Sequence, residues 1–99
     1  METSFTFRDI EATEGLKEHT LSKFTKFDKF LIKPISAHII LCKDGFLHKA
    51  EITINANGKR YVSMEETNDM YLSIDQAVEK LVHQLHKDKE KTKDRHKRT

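Results

Sequence analysis

One cysteine, Cys42, is the entire thiol content of the chain. It cannot close an internal disulfide, so the chain suits a reducing cytoplasm. Nothing around it carries the local signature of a thiol nucleophile, and its position in an alternating apolar segment gives it a packing role on a sheet face. The three glycines, Gly15, Gly45 and Gly58, are scattered, which excludes a glycine-rich phosphate loop. Long apolar runs are missing too. The longest nearly unbroken one, Ile35 to Cys42, is interrupted by Ser36 and His38 and is too short to span a bilayer. Residues 1–20 show no apolar run behind a basic start, so no secretory signal is expected. Six histidines are present, but His83-x-x-His86 lacks a third ligand of suitable type nearby, so no metal site is expected. The paired acids Glu65-Glu66 lie at a strand end with no partner for acid–base work. A catalytic role therefore has no support in the residues.

What is present is a modest core and an uneven charge. Leu, Ile, Val and Phe total 25 of 99 residues, enough for one small packed domain. Residues 1–86 carry 11 Lys+Arg against 13 Asp+Glu, whereas residues 87–99 carry 7 against 3. The net charge of +2 thus divides into −2 and +4. A basic end on a near-neutral body points to a polyanion, nucleic acid being the commonest, or to a merely solvated tail.

Periodicity predicts six elements. "TSFTFR" at 3–8 alternates as a first strand, with Phe5 and Phe7 on one face. Thr13 caps a helix whose apolar stripe is Leu16, Thr20, Phe24, Phe27 and Leu31, ended by Pro34 at or before Lys33. Lys23 and Lys26 lie beside that stripe and Lys17 borders its other edge. "ISAHIILCK" and "HKAEITINA" are strands joined at Asp44-Gly45; Asn57-Gly58 then makes a tight hairpin into "KRYVSMEE", with Val62 and Met64 expected to face in. Asn68 or Asp69 starts a last helix with Ile74, Val78, Leu81 and Leu85 inward. The expected fold is α+β, β-α-β-β-β-α, a four-stranded mixed sheet with two helices packed on one face. The helical crossover makes the first two strands parallel, and the tight turns make the rest antiparallel.

The last helix carries the best-ordered polar pattern. Lys80, Gln84, Lys87 and Lys91 recur within roughly 60° of arc beside the apolar stripe, with Lys89 and Lys93 expected to widen that face. Such a row suits phosphate contacts, and a glutamine can reach sugar or base edges. The alternative is a solvated helix surface.

The segments "TEGLKEHTLSKFTKFDKF", "ANG" and "NDMYLSIDQAVEKLVHQLHKDKEK", in this element order, resemble the ribosome hibernation promoting factor family over nearly the whole chain. The resemblance implies a fold similar to the double-stranded-RNA-binding domain, with one ribosome-binding domain over 1–94 and a basic, flexible tail at 95–99. It implies binding to the 30S subunit and the 70S ribosome, against 16S rRNA, across the mRNA channel and the A and P sites. The protein would be cytoplasmic, ribosome-associated and monomeric when free, and would block translation in idle ribosomes under starvation or in stationary phase. No catalysis, metal, cofactor or small-molecule substrate is implied. The RNA-binding positions carried over are Lys17, Lys23, Lys26, Lys80, His83, Gln84, Lys87, Lys89, Lys91 and Lys93. Asp69 is a helix cap and Tyr71 partly core. Two departures stand out: His83 where relatives often have arginine, and Phe7 where many have a small residue. The chain looks like a short form, some relatives of which promote ribosome dimers with a separate small partner. The competing reading is a general double-stranded-RNA-binding module.

Overall fold

In the computed structural model the backbone is described for residues 1–31 and 33–98, and the side chains for these residues except 34, 35 and 90–98. The elements are β1 (Glu2–Arg8), α1 (Glu14–Lys23), a 3₁₀ turn (Phe24–Phe27), β2 (Pro34–Asp44), β3 (Leu47–Ala56), β4 (Lys59–Thr67) and α2 (Met70–Arg98). The strands form one sheet in the order β1-β2-β3-β4. β1 runs parallel to β2, and the two hairpins are antiparallel. The expected mixed sheet and both helices are present. The expected flexible tail at 95–99 falls outside the described side chains.

Local chemistry explains most boundaries. The Thr13 hydroxyl accepts from the Leu16 amide at 3.2 Å, satisfying one of the orphan donors at the start of α1. Asp69 does the same for Tyr71 at 3.0 Å at the start of α2. Asn57 and Gly58 both take positive φ, 55° and 71°, the pairing that a two-residue hairpin requires. The Asn57 side chain also donates to the Phe30 carbonyl at 3.0 Å, pinning the segment after the 3₁₀ turn to this hairpin.

The first helix departs from the expected continuous run to Lys33. It is α-helical only to Lys23 and then tightens to three residues per turn. The phenylalanines recur every three residues, and in 3₁₀ geometry side chains three apart eclipse. Phe24, Phe27 and Phe30 therefore line up, 7%, 0% and 7% exposed. Phe30 takes the core place expected for Leu31, which is only partly buried against the cluster.

The orientation of β4 is also corrected. Tyr61 and Ser63 face the helices, 6% and 4% exposed, while Val62 and Met64 lie on the open face at 41% and 46%. The two-residue turn dictates this. It opposes Ala56 to Lys59, hence Ile54 to Tyr61 and Ile52 to Ser63, and cross-strand partners share a face. Ser63 is tolerated inside because its hydroxyl donates to the Ala77 carbonyl of α2 at 2.7 Å. Its small side chain suits the close approach of Ala77, which is fully buried. Tyr71, expected to be partly core, is 44% exposed and meets the His19 ring edge-on at 4.9 Å.

Tyr61 ties β4 to α2. Its hydroxyl donates to Asp88 at 2.6 Å, and Asp88 also pairs with Lys59. Burial, and then the hydrogen bond to Asp88, push the tyrosine pKa up. A raised pKa means that the folded state holds the phenolic proton longer than the unfolded chain. The contribution is fully present below the unfolded value, about 10, and is lost as pH rises through the higher folded value. Tyr61→Phe is expected to cost about 1.5–3 kcal/mol at neutral pH, typical of a hydrogen bond to a charged group. Urea unfolding of both proteins at neutral pH and at roughly pH 11 should show that difference shrinking in alkali. An undiminished difference would rule out the phenolic proton as its source.

Candidate nucleic-acid interface

The described cations divide by position along α2 and by what they already touch. Near the start of α2, the cations of the first helical segment meet acids. Lys23 lies 4.0 Å from Asp75, which also accepts from His19 Nε2 at 2.7 Å. Lys26 pairs with Glu79. Lys17 lies 3.8 Å from Glu14, with its ammonium 6.0 Å from the Phe7 ring centre. The pairs with Asp75 and Glu79 stitch α1 and the 3₁₀ turn to α2, and each of the three lysines has a carboxylate within 4.0 Å. A phosphate arriving there meets an anion beside each lysine.

Lys80 and Gln84 lie on the other flank of α2. The Gln84 amide donates to the Val62 carbonyl at 2.9 Å. Lys80 reaches the Met64 carbonyl at 3.4 Å and Glu65 at 3.0 Å. β4 is an edge strand, and these side chains occupy alternate carbonyls along it, closing an edge that could otherwise pair with another chain. The Gln84 side-chain oxygen is still an acceptor for a ligand donor, but its N–H group is engaged.

Further along, the balance changes. Lys87 is exposed and has no hydrogen-bond or ion-pair partner among the described residues. Lys89 does not widen the Lys80–Gln84 row. It lies on the opposite flank, 5.7 Å from the centre of the Phe30 ring, with Lys29 at 5.3 Å and the His86 ring edge-on at 6.1 Å. The single face expected from spacing is therefore two flanks diverging from the exposed ridge of α2. Lys29, which the helical pattern does not single out, belongs with the Phe30 group. Its signal is the tripeptide Asp28-Lys29-Phe30, legible only once the 3₁₀ turn sets Phe30 inward. Lys91 and Lys93 lie among the residues whose side chains are not described.

His83 projects from the ridge into a shallow hollow bordered by Glu65, Asp75, Gln76, Glu79 and Lys80. His86 turns to Phe30 instead, so the two histidines do not face a common ligand. Among the described residues, no group of three His, Cys, Asp or Glu side chains could hold a metal ion. No described helix is long and apolar enough to cross a membrane.

Known proteins resemble this chain over nearly its whole length. The "Ribosome hibernation promoting factor" of Escherichia coli K12 is 31% identical over 93 residues, 94% of this chain and 98% of that protein. The protein of the same name from Pseudomonas putida KT2440 is 30% identical over 91 residues, 92% of this chain and 89% of its own. The N-terminal domain of Thermus thermophilus Protein Y superposes with a TM-score of 0.78 at 26% identity, covering 86% of this chain and 96% of that one. A ribosomal subunit interface protein from Coxiella burnetii shares the fold, with a TM-score of 0.80 at 24% identity over 90% of this chain and 98% of its own. Residues 3–93 match the family described as Sigma 54 modulation protein / S30EA ribosomal protein, and the chain belongs to that family.

Proposed function

We propose that this protein is a ribosome hibernation factor. It binds the 30S subunit and the 70S particle against 16S rRNA, occupies the mRNA channel with the A and P sites, and holds idle ribosomes out of translation. Binding rather than turnover is the activity, and the cytoplasm is its place of action. The supporting observation is the concentration of lysine and arginine along the second half of α2, with Lys87 and Lys89 exposed, on a chain similar to hibernation promoting factors over nearly their whole length. Lys87 and the Lys29–Lys89 pair lead, and Lys91 and Lys93 follow along the same helix. Lys17, Lys23, Lys26, Lys80, His83 and Gln84 form a supporting surface whose internal ion pairs and hydrogen bonds set its shape.

The test is co-sedimentation of the pure protein with 30S, 50S and 70S particles at several salt concentrations, with a random RNA duplex as competitor. Binding to 30S and 70S that weakens with salt and resists the duplex is the expected result. If the duplex competes equally, the protein is a general double-stranded-RNA-binding module. Pairing of silenced ribosomes by a second small factor, added to the same gradients, would show as a faster-sedimenting ribosome species.

A further inference from the structure

The two outer edges of the sheet are treated differently. The β4 edge is occupied by Lys80 and Gln84. The outer edge of β1 has no such cover: its backbone pairs with β2, and among the described residues no side chain bonds to it. Ser4 and Thr6 turn their hydroxyls inward along the sheet to the two ring nitrogens of His38. β1 also lacks the usual protections of an edge, having no proline, no bulge against β2 and no charge between its end residues. Its interior, Thr3-Ser4-Phe5-Thr6-Phe7, is rich in strand-forming residues. Phe5 and Phe7 stack at 6.0 Å and are only partly buried against the core.

The sequence of this edge is complementary to itself. A two-fold axis at Phe5 that sets β1 antiparallel to a second β1 opposes residue i to residue 10 − i. Glu2 then faces Arg8 of the second copy, and Arg8 faces its Glu2. Ser4 faces Thr6, Thr3 faces Phe7, and Phe5 faces Phe5. Both end pairs are oppositely charged, the middle is uncharged, and the whole of β1, Glu2–Arg8, is used. In such an isologous contact every off-axis pair occurs twice, and Phe5 meets its own copy on the axis.

We infer that the β1 edge is a self-association surface, pairing antiparallel with β1 of a second copy to form a continuous eight-stranded sheet. The occupant is another molecule of this chain because the charge order along β1 matches its own reverse. The contact is confined to one strand and its two aromatic side chains, so association is weak and concentration-dependent. It uses none of the α2 cations, so it stands or falls independently of ribosome binding.

Sedimentation equilibrium over about 10 μM to 1 mM should show a monomer–dimer equilibrium. Glu2→Arg sets two arginines against each other at both ends of the paired strands, and Arg8→Glu sets two glutamates there. Each variant alone should weaken dimerisation by about tenfold or more, since two cross-strand pairs turn from attractive to repulsive. Mixed together, the two variants regain opposite charges at both ends and should form a heterodimer at the wild-type concentration. These positions are exposed, so circular dichroism should report an unchanged fold. A wild-type protein that stays monomeric throughout would overturn the inference. So would a dimer indifferent to either variant, or a mixture that associates no better than its components.

Discussion

Lys87→Glu combined with Lys91→Glu is expected to weaken binding to the 30S subunit by about a hundredfold and to reduce the slope of log affinity against log salt by roughly two. Each cation that meets a phosphate releases counterions, and reversing its sign removes that gain and adds repulsion. The effect should be large because Lys87 has no partner among the described residues, so no internal contact offsets it. Lys26 offers the contrast. It already pairs with Glu79, and phosphate binding there trades one anion for another. Lys26→Ala should therefore cost severalfold less than Lys87→Ala, although spacing alone ranks them alike. Co-sedimentation at two salt concentrations separates the cases. Equal losses for Lys26→Ala and Lys87→Ala would show that the internal ion pairs do not bias the interface. Unchanged binding by the double charge reversal would remove the distal half of α2 from the interface altogether.

That contrast marks how much of the site is visible in the chain. The excess of cations beyond residue 86 emerges by counting, because net charge needs no geometry. The pairing of Lys23 with Asp75, Lys26 with Glu79 and Lys80 with Glu65 does not, because each joins elements far apart in sequence. Gln84 shows the same limit. Helical spacing sets it beside Lys80 and Lys87, yet its bond to Val62 depends on which strand lies at the sheet edge. Lys89 departs from its expected face for a simpler reason. Nine residues at about 100° each set position 89 half a turn from position 80, so helical spacing itself puts them on opposite flanks.

The fold is legible where one local rule acts alone. Thr13 and Asp69 cap the helices as expected, and the hairpin at Asn57-Gly58 follows from two residues that accept positive φ. The facing of β4 is misread because two rules compete. Apolar side chains at Val62 and Met64 argue for one face, but the hairpin register argues for the other, and backbone pairing is the stricter constraint. The cross-strand pairing set by Ala56 and Lys59 puts Tyr61 and Ser63 inward. The short helix after α1 escapes the pattern for a related reason. Leu16, Thr20, Phe24 and Phe27 satisfy a 3.6-residue period, while Phe24, Phe27 and Phe30 satisfy a period of three, and both are realised in succession.

Phe27 sits where those two periods meet, and Phe27→Ala is expected to be the most destabilising single change in this part of the chain. The side chain is 0% exposed and packs against Phe24 at 5.1 Å between ring centres. Its carbonyl accepts from the amides of Phe30, at 2.9 Å, and Leu31, at 3.2 Å, so the same residue ends the 3₁₀ turn. Truncating a buried phenylalanine costs about 3–5 kcal/mol, combining lost transfer energy with the cavity that remains. For a domain of this size that approaches much of the total stability. Phe30→Ala should cost less, because part of that ring meets the ammonium groups of Lys29 and Lys89 and the edge-on His86 ring as well as the core. Its larger effect should fall on RNA binding, since Phe30 holds two of the exposed cations in place. Urea unfolding of both variants, paired with 30S binding of whichever stays folded, checks the assignment. A Phe27→Ala protein as stable as wild type would mean that the phenylalanine row does not anchor the first helical segment. A Phe30→Ala protein that unfolds as readily as Phe27→Ala would show that the outer side of the ring matters as much to stability as its core side.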